Sequence, residues 1–148
     1  MPGKYHTHGT DTAEAALSVV SVISATTTQP EIHDVVMSSS SAPADQTVHY
    51  QWRRFSADGT GTAVTPTPLD FNGPASLATS KENYTITPSL TAGEMLLNVA
   101  HNLRASPRWI ASPGFQWRIP ALAGDGICQN CVAVSGTLVA ETTILFLE

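Results

Sequence analysis

The sequence predicts an all-β protein, a two-sheet antiparallel β-sandwich of jelly-roll type with an extended N-terminal arm. Three observations carry that expectation. Eight or nine short apolar or alternating runs recur at spacings of about 8–16 residues, separated by Pro, Gly and Asn. No stretch of ten residues sustains a helical period, and no internal repeat recurs at a fixed interval. The widely separated cysteines around a tryptophan that announce an immunoglobulin-type sandwich are missing, and a jelly roll suits the strand count better.

Residues 1–13 are polar and contain Gly, which reads as an extended arm ordered by a partner, ahead of a single domain over 14–148. From Ala15 the character changes: Leu17, Val19, Val20, Val22 and Ile23 form a β-branched run that ends at Thr26-Thr27-Thr28-Gln29-Pro30. A second strand covers Ile32, Asp34 and Val36 on one parity and His33, Val35 and Met37 on the other, before a breaker cluster at 38–44. The clearest alternation follows, with Val48, Tyr50 and Trp52 on one face and His49, Gln51 and Arg53 on the other. One face should be core and the other wet. About 27 residues between Ser56 and Asn83 carry little strand signal, which suggests a functional loop or a crossing over the sandwich end, with a helical turn near 74–80. Short strands are then expected at 84–87, 94–101, 107–111, 115–119, 127–134 and 137–147. In the last, both parities are apolar toward the end, so that strand should lie centrally in a sheet or under a neighbour.

A chain of 148 residues is long enough to bury a core without a disulfide or metal. Charged residues make up only 13%, against 42% hydrophobic, and Ser with Thr contributes 32 residues. That excludes a coiled coil, a charged disordered tail and a collagen-like rod. The net charge of −5 argues against a sequence-independent grip on phosphate backbones, so nucleic acid is not an expected partner. No apolar run follows Lys4 to suggest a secretory leader, and no apolar stretch approaches the ~20 residues of a membrane span, so no membrane partner is expected.

Candidate chemistry is sparse. Cys128 and Cys131 read as two unpaired thiols in a loop or strand end, with a local disulfide as the alternative, because no second Cys or His pair lies at zinc-site spacing. His6 and His8 would share one side of an extended arm, without a carboxylate cluster to complete a metal site. Gly-x-Ser-x-Gly, P-loop and His-Glu-x-x-His patterns are all missing, and neither an enzyme nor a cofactor is expected. Asp58, Asp70 and Asp125 stand in Gly-flanked turns, where carboxylates cap backbone amides. All three tryptophans adjoin arginines, in Trp52-Arg53-Arg54, Arg108-Trp109 and Trp117-Arg118. Neighbours on a strand face opposite ways, so each pair sets one member in the core and the other outside. Arg53, Arg108 and Arg118, with Leu145 and Leu147 of the apolar C-terminal strand, are therefore the candidate interface. Lys4, Tyr5, His6 and His8 are the candidate contacts of the arm.

Between His49 and Gly126, the segments Tyr50-Gln51-Trp52-Arg53-Arg54, Gly59-Thr60-Gly61-Thr62-Ala63-Val64-Thr65-Pro66, Thr91-Ala92-Gly93-Glu94-Met95-Leu96-Leu97, Arg108-Trp109-Ile110-Ala111-Ser112-Pro113-Gly114 and Ile119-Pro120-Ala121 resemble small jelly-roll proteins among the structural genes of tailed bacteriophages. They are similar to capsid decoration, or cement, proteins. The resemblance implies an accessory virion protein, made in the host cytoplasm, that sits on the outer capsid surface and bridges major capsid protein subunits. It further implies self-association, as a homotrimer rather than a homodimer, and no catalytic residues. The arm and the Cys128/Cys131 pair are not family features.

Two other readings stay open from sequence. A carbohydrate-binding or adhesin sandwich would stack exposed Trp faces on sugar rings. A cupin-like enzyme would need His33 and His49 to converge with Glu31 or Asp34.

Overall fold

The computed structural model describes residues 2–41 and 45–148. Met1 of the expected arm and residues 42–44 of the expected breaker cluster lie outside the described residues. The strands are β1 (Lys4–Thr12), β2 (Ser18–Ile23), β3 (Glu31–Ser39), β4 (Thr47–Phe55), β5 (Thr60–Val64), β6 (Thr67–Pro68), β7 (Thr79–Ile86), β8 (Leu90–Asn102), β9 (Arg108–Ile110), β10 (Trp117–Arg118), β11 (Gly126–Val134) and β12 (Val139–Leu147). The described residues contain no helix. The chain is a two-sheet antiparallel β-sandwich, as the alternation and turn spacing predict.

In the first sheet β9 and β10 share one edge of β3, and β12, β1 and β6 follow in that order. The second sheet runs β5-β7-β2-β11-β4-β8. Val48, Tyr50 and Trp52 are fully buried between the sheets, as their shared parity predicts. On β12 the buried parity is Ala140, Thr142, Ile144 and Phe146, and the strand lies centrally between β3 and β1.

The arm expectation is corrected. Residues 4–12 form β1, which pairs with β12 over its whole length, from Lys4 opposite Leu147 to Thr12 opposite Val139. Its inward parity is Tyr5, Thr7, Gly9 and Asp11, all buried. Only Tyr5 is a large apolar residue, so the hydrophobic alternation that marks a strand is missing although the backbone ladder is complete. Gly9 explains how so thin a strand fills its place: a Cβ there would lie 2.5 Å from Val20 Cβ, so β1 approaches β2 across the sandwich with no side chain between.

The stretch 56–83 is corrected as well, since β5, β6 and the start of β7 run through it and the residues near 74–80 form no helical turn. Thr and Gly dominate β5, and Lys81 with Glu82 interrupt β7, so these strands are held by pairing rather than by an apolar face.

Asp11 is a buried carboxyl at the core edge. Burial, followed by the negative charge of Glu14, raises its carboxyl to about 6, against opposing hydrogen bonds from the Thr12 and Tyr84 backbone. A carboxyl raised in the folded state takes up a proton more readily there than in the unfolded chain. Its ionised form therefore destabilises the fold fully above pH about 6, and that cost fades as pH falls toward the unfolded value near 4. Asp11→Asn is accordingly expected to melt higher than the wild type at about pH 8, with the gap closing by about pH 4 in thermal unfolding followed by circular dichroism.

Candidate interaction surface

Register decides which side chains meet on the outer face of the first sheet. Directly opposite residues in antiparallel strands share a face, so each row can be read across the strands. One row runs Arg118 on β10, Glu31 on β3, Leu147 on β12 and Lys4 on β1. The next runs Ile110, Asp34, Leu145 and His6. The third runs Arg108, Val36, Thr143 and His8. Seven of the nine residues singled out from sequence thus stand on one sheet face: Lys4, His6, His8, Arg108, Arg118, Leu145 and Leu147.

The face has an apolar centre and a charged margin. Leu145 and Leu147 are half-buried, while Ile110 and Leu69 stand 60% and 52% exposed. Together with Ala111 and Lys4 they line a groove of about 390 Å³. A second hollow of about 500 Å³, bounded by Pro2, Pro68 and Pro74, shares Lys4, Tyr5 and Leu69 with it. At the margin Arg108 donates from Nε to Asp34 Oδ1 at 3.0 Å and from Nη2 to Asp34 Oδ2, a forked arrangement that fixes the guanidinium. The same hydrogen bonds, and then the carboxylate charge, raise the Arg108 pKa further above its usual value. Arg118 Nε meets Glu31 Oε1 at 2.8 Å, and His33 Nε2 lies 3.8 Å from the other oxygen of Glu31.

The remaining two residues lie elsewhere. Tyr5 points inward and stacks on Phe146 with ring centroids 5.6 Å apart, so it is a core residue and not an exposed contact. Arg53 lies on the outer face of the second sheet opposite Cys128, half-buried, and donates from Nη2 to the Thr91 carbonyl at 3.1 Å. Backbone bonds between Ser56 and Ser89 and between Ser89 and Ala57 join the two connections beside it. Lys81 and Tyr84 both bond Asp58, at 2.5 and 3.0 Å, and tie that corner to β7. Asp58 also caps the Gly59 amide, and Asp70 caps Asn72, as expected of turn carboxylates.

The cysteines face opposite ways. Cys128 packs outside the second sheet with Ile23, Phe55 and Leu90, whereas Cys131 belongs to the central core. Three residues apart on one strand, their Cα atoms are separated by roughly 10 Å, beyond the span of a disulfide. Burial raises the Cys128 thiol to about 12 and the Cys131 thiol to about 11, which removes the thiolate needed for reactivity.

His33 and His49 sit in different sheets, and His49 Nε2 is engaged by Asn98 Oδ1 at 2.5 Å, so the cupin-like ligand set does not converge. Among the described residues no group of three or more His, Cys, Asp or Glu is placed to hold a metal. The tryptophans point inward: Trp52 and Trp117 are buried, and Trp109 stacks on Trp117 at 3.9 Å, leaving no exposed indole platform for a sugar ring. Sequence reasoning missed Asp34, Ile110 and Leu69 as members of the face, because only the pairing of β3 with β9 and β12 brings the first two there, and that of β6 with β1, continued by the Leu69 N–H to the Lys4 carbonyl, brings the third. No family model, curated protein or solved structure matches the chain.

Proposed function

We propose that this protein is a structural virion component, a decoration or cement protein of jelly-roll type that lies on the outside of a tailed-phage head and bridges major capsid protein subunits. The outer face of the first sheet is the surface that meets the capsid. The observation carrying the reading is the convergence of Lys4, His6, His8, Arg108, Arg118, Leu145 and Leu147 around an open apolar groove. A sheet face with leucines at its centre and fixed guanidinium groups at its margin suits a large, flat protein partner. The low charged fraction, 13%, limits repulsion among copies crowded on a shell.

Leu145→Glu combined with Leu147→Glu tests this. Neither side chain points into the core, so the fold should persist while carboxylates occupy the groove. Wild-type protein is expected to co-sediment with undecorated heads of the phage that encodes it, and the double variant to bind at least about 100-fold more weakly, a difference of roughly 2.7 kcal/mol. Failure of the wild type to bind heads, or equal binding by the variant, overturns the proposal.

A further inference from the structure

We infer that two copies of this chain pair through β8, antiparallel and edge to edge, so that the second sheet runs continuously across a two-fold dimer. An edge strand carries a row of backbone N–H and C=O groups with no partner, and natural edges are protected by shortness, bulges, Pro or inward charge. The other edges here follow that practice. β6 and β10 have two residues each, β9 has three, and five-residue β5 has a register shift in its pairing. β8 does so only in its first half: it is the longest strand, with 13 residues, β4 is its neighbour on one side only, and its register shifts all lie before Leu97.

Its irregularities gather at one end, between Leu90 and Leu97, where Gly93 takes φ +77°. From Leu97 to Asn102 it pairs residue by residue with β4, and this segment contains no Pro, Lys, Arg, Asp or Glu. Leu97 and Val99 lie opposite Trp52 and Tyr50, so they face the core, yet both remain half-exposed at the open side. Asn98 and Ala100 face outward and are exposed.

A second copy fits this edge because the segment is complementary to itself. A two-fold axis perpendicular to the sheet keeps inward residues opposite inward residues. Setting Val99 opposite its own symmetry mate keeps the contact within the regular 97–101 segment, places Leu97 against His101 of the second copy, twice, and covers both half-exposed side chains. The same axis leaves the two first-sheet faces pointing the same way. On the capsid reading, such a dimer would meet the shell through two grooves at once and gain by effective concentration. The dimer itself does not depend on that reading, and a trimer would need a different, head-to-tail contact.

Sedimentation velocity of the full chain over a concentration series is the test. A ladder of about five residues supports a dimer with Kd of roughly 1–100 μM. The double variant Asn98→Lys with Ala100→Lys sets lysine against lysine across the seam, so it is expected to raise Kd at least about tenfold. Because it also removes the Asn98–His49 hydrogen bond, His49→Ala, which removes the same bond without adding charge, is the control and is expected to leave Kd unchanged. Amides within 97–102 should gain hydrogen-exchange protection as the wild-type concentration rises. Leu145→Glu on the other sheet should leave the dimer intact. A wild type that is monomeric at about 100 μM, or trimeric, overturns the inference. So does a dimer indifferent to the two lysines, or one lost equally with Leu145→Glu. Solution mass reports on this contact and head binding on the proposed role, so either can fail without the other.

Discussion

A chain lacking residues 1–12 is expected not to fold. β1 fills the space between β12 and β6 in the first sheet, and its removal strips nine register pairs from β12. It also takes away buried Tyr5, which lies on Phe146, and uncovers one flank of the strand that carries Ala140 and Ile144. Each lost ladder hydrogen bond costs about 0.5–1.5 kcal/mol, and burial of a large side chain contributes about 1.5–3 kcal/mol. The combined loss rivals the ~5–15 kcal/mol that holds a domain of this size together. Circular dichroism and a thermal melt of the truncated chain should show no cooperative transition. The triple variant Lys4→Ala, His6→Ala, His8→Ala alters only the outward parity of the same strand and should fold normally. A truncated chain that melts within about 5 °C of the wild type would make β1 a dispensable arm after all.

That contrast shows what the sequence could and could not convey. β4 was legible because Val48, Tyr50 and Trp52 put three sizeable apolar groups on one parity, and all three are buried. The central position of β12 was legible from its two apolar faces. β1 was not, since its inward positions hold Thr7, Gly9 and Asp11, residues that suit a close approach to Val20 and to the core edge but carry no hydrophobic signal. The face residues were chosen by type, arginines beside tryptophans and leucines at the chain end. Their assembly into one surface depends on β1 meeting β12 across most of the chain length, and residue identity holds no record of that pairing. Arg53 was chosen by the same logic and lies outward as its parity requires. Its bond to the Thr91 carbonyl, which ties β4 to the start of β8, gives it a structural role that periodicity does not encode.

The tryptophans join the core to the surface, and their removal is expected to be costly in two different ways. Trp52 on β4 lies 5.5 Å from Trp117 on β10, tilted against it, and Trp117 stacks on Trp109 of β9 at 3.9 Å, centroid to centroid, so one run of ring contacts spans both sheets. β9 and β10 are too short to hold their edge by hydrogen bonds alone, and the stack pins them there. Trp52→Ala opens a cavity in the fully buried centre and should cost about 3–5 kcal/mol. At about 2–4 °C per kcal/mol for a chain of this length, the melting temperature falls by roughly 10 °C. Trp52→Phe should cost much less, because it keeps the ring and removes an indole N–H that has no acceptor among the described residues. Trp117→Ala acts at the rim. It releases β10, and with it the support under Trp109, so hydrogen exchange should quicken at 108–110 and 117–118 before the rest of the sandwich loosens. Arg108 and Arg118 sit on those same short strands, so the margin of the first-sheet face should lose its alignment in this variant while the Leu145 and Leu147 centre is retained. Exchange that rises uniformly across both sheets would mean that the stack holds no particular edge, and that the two short strands are fixed by Asp34 and Glu31 through their arginines instead.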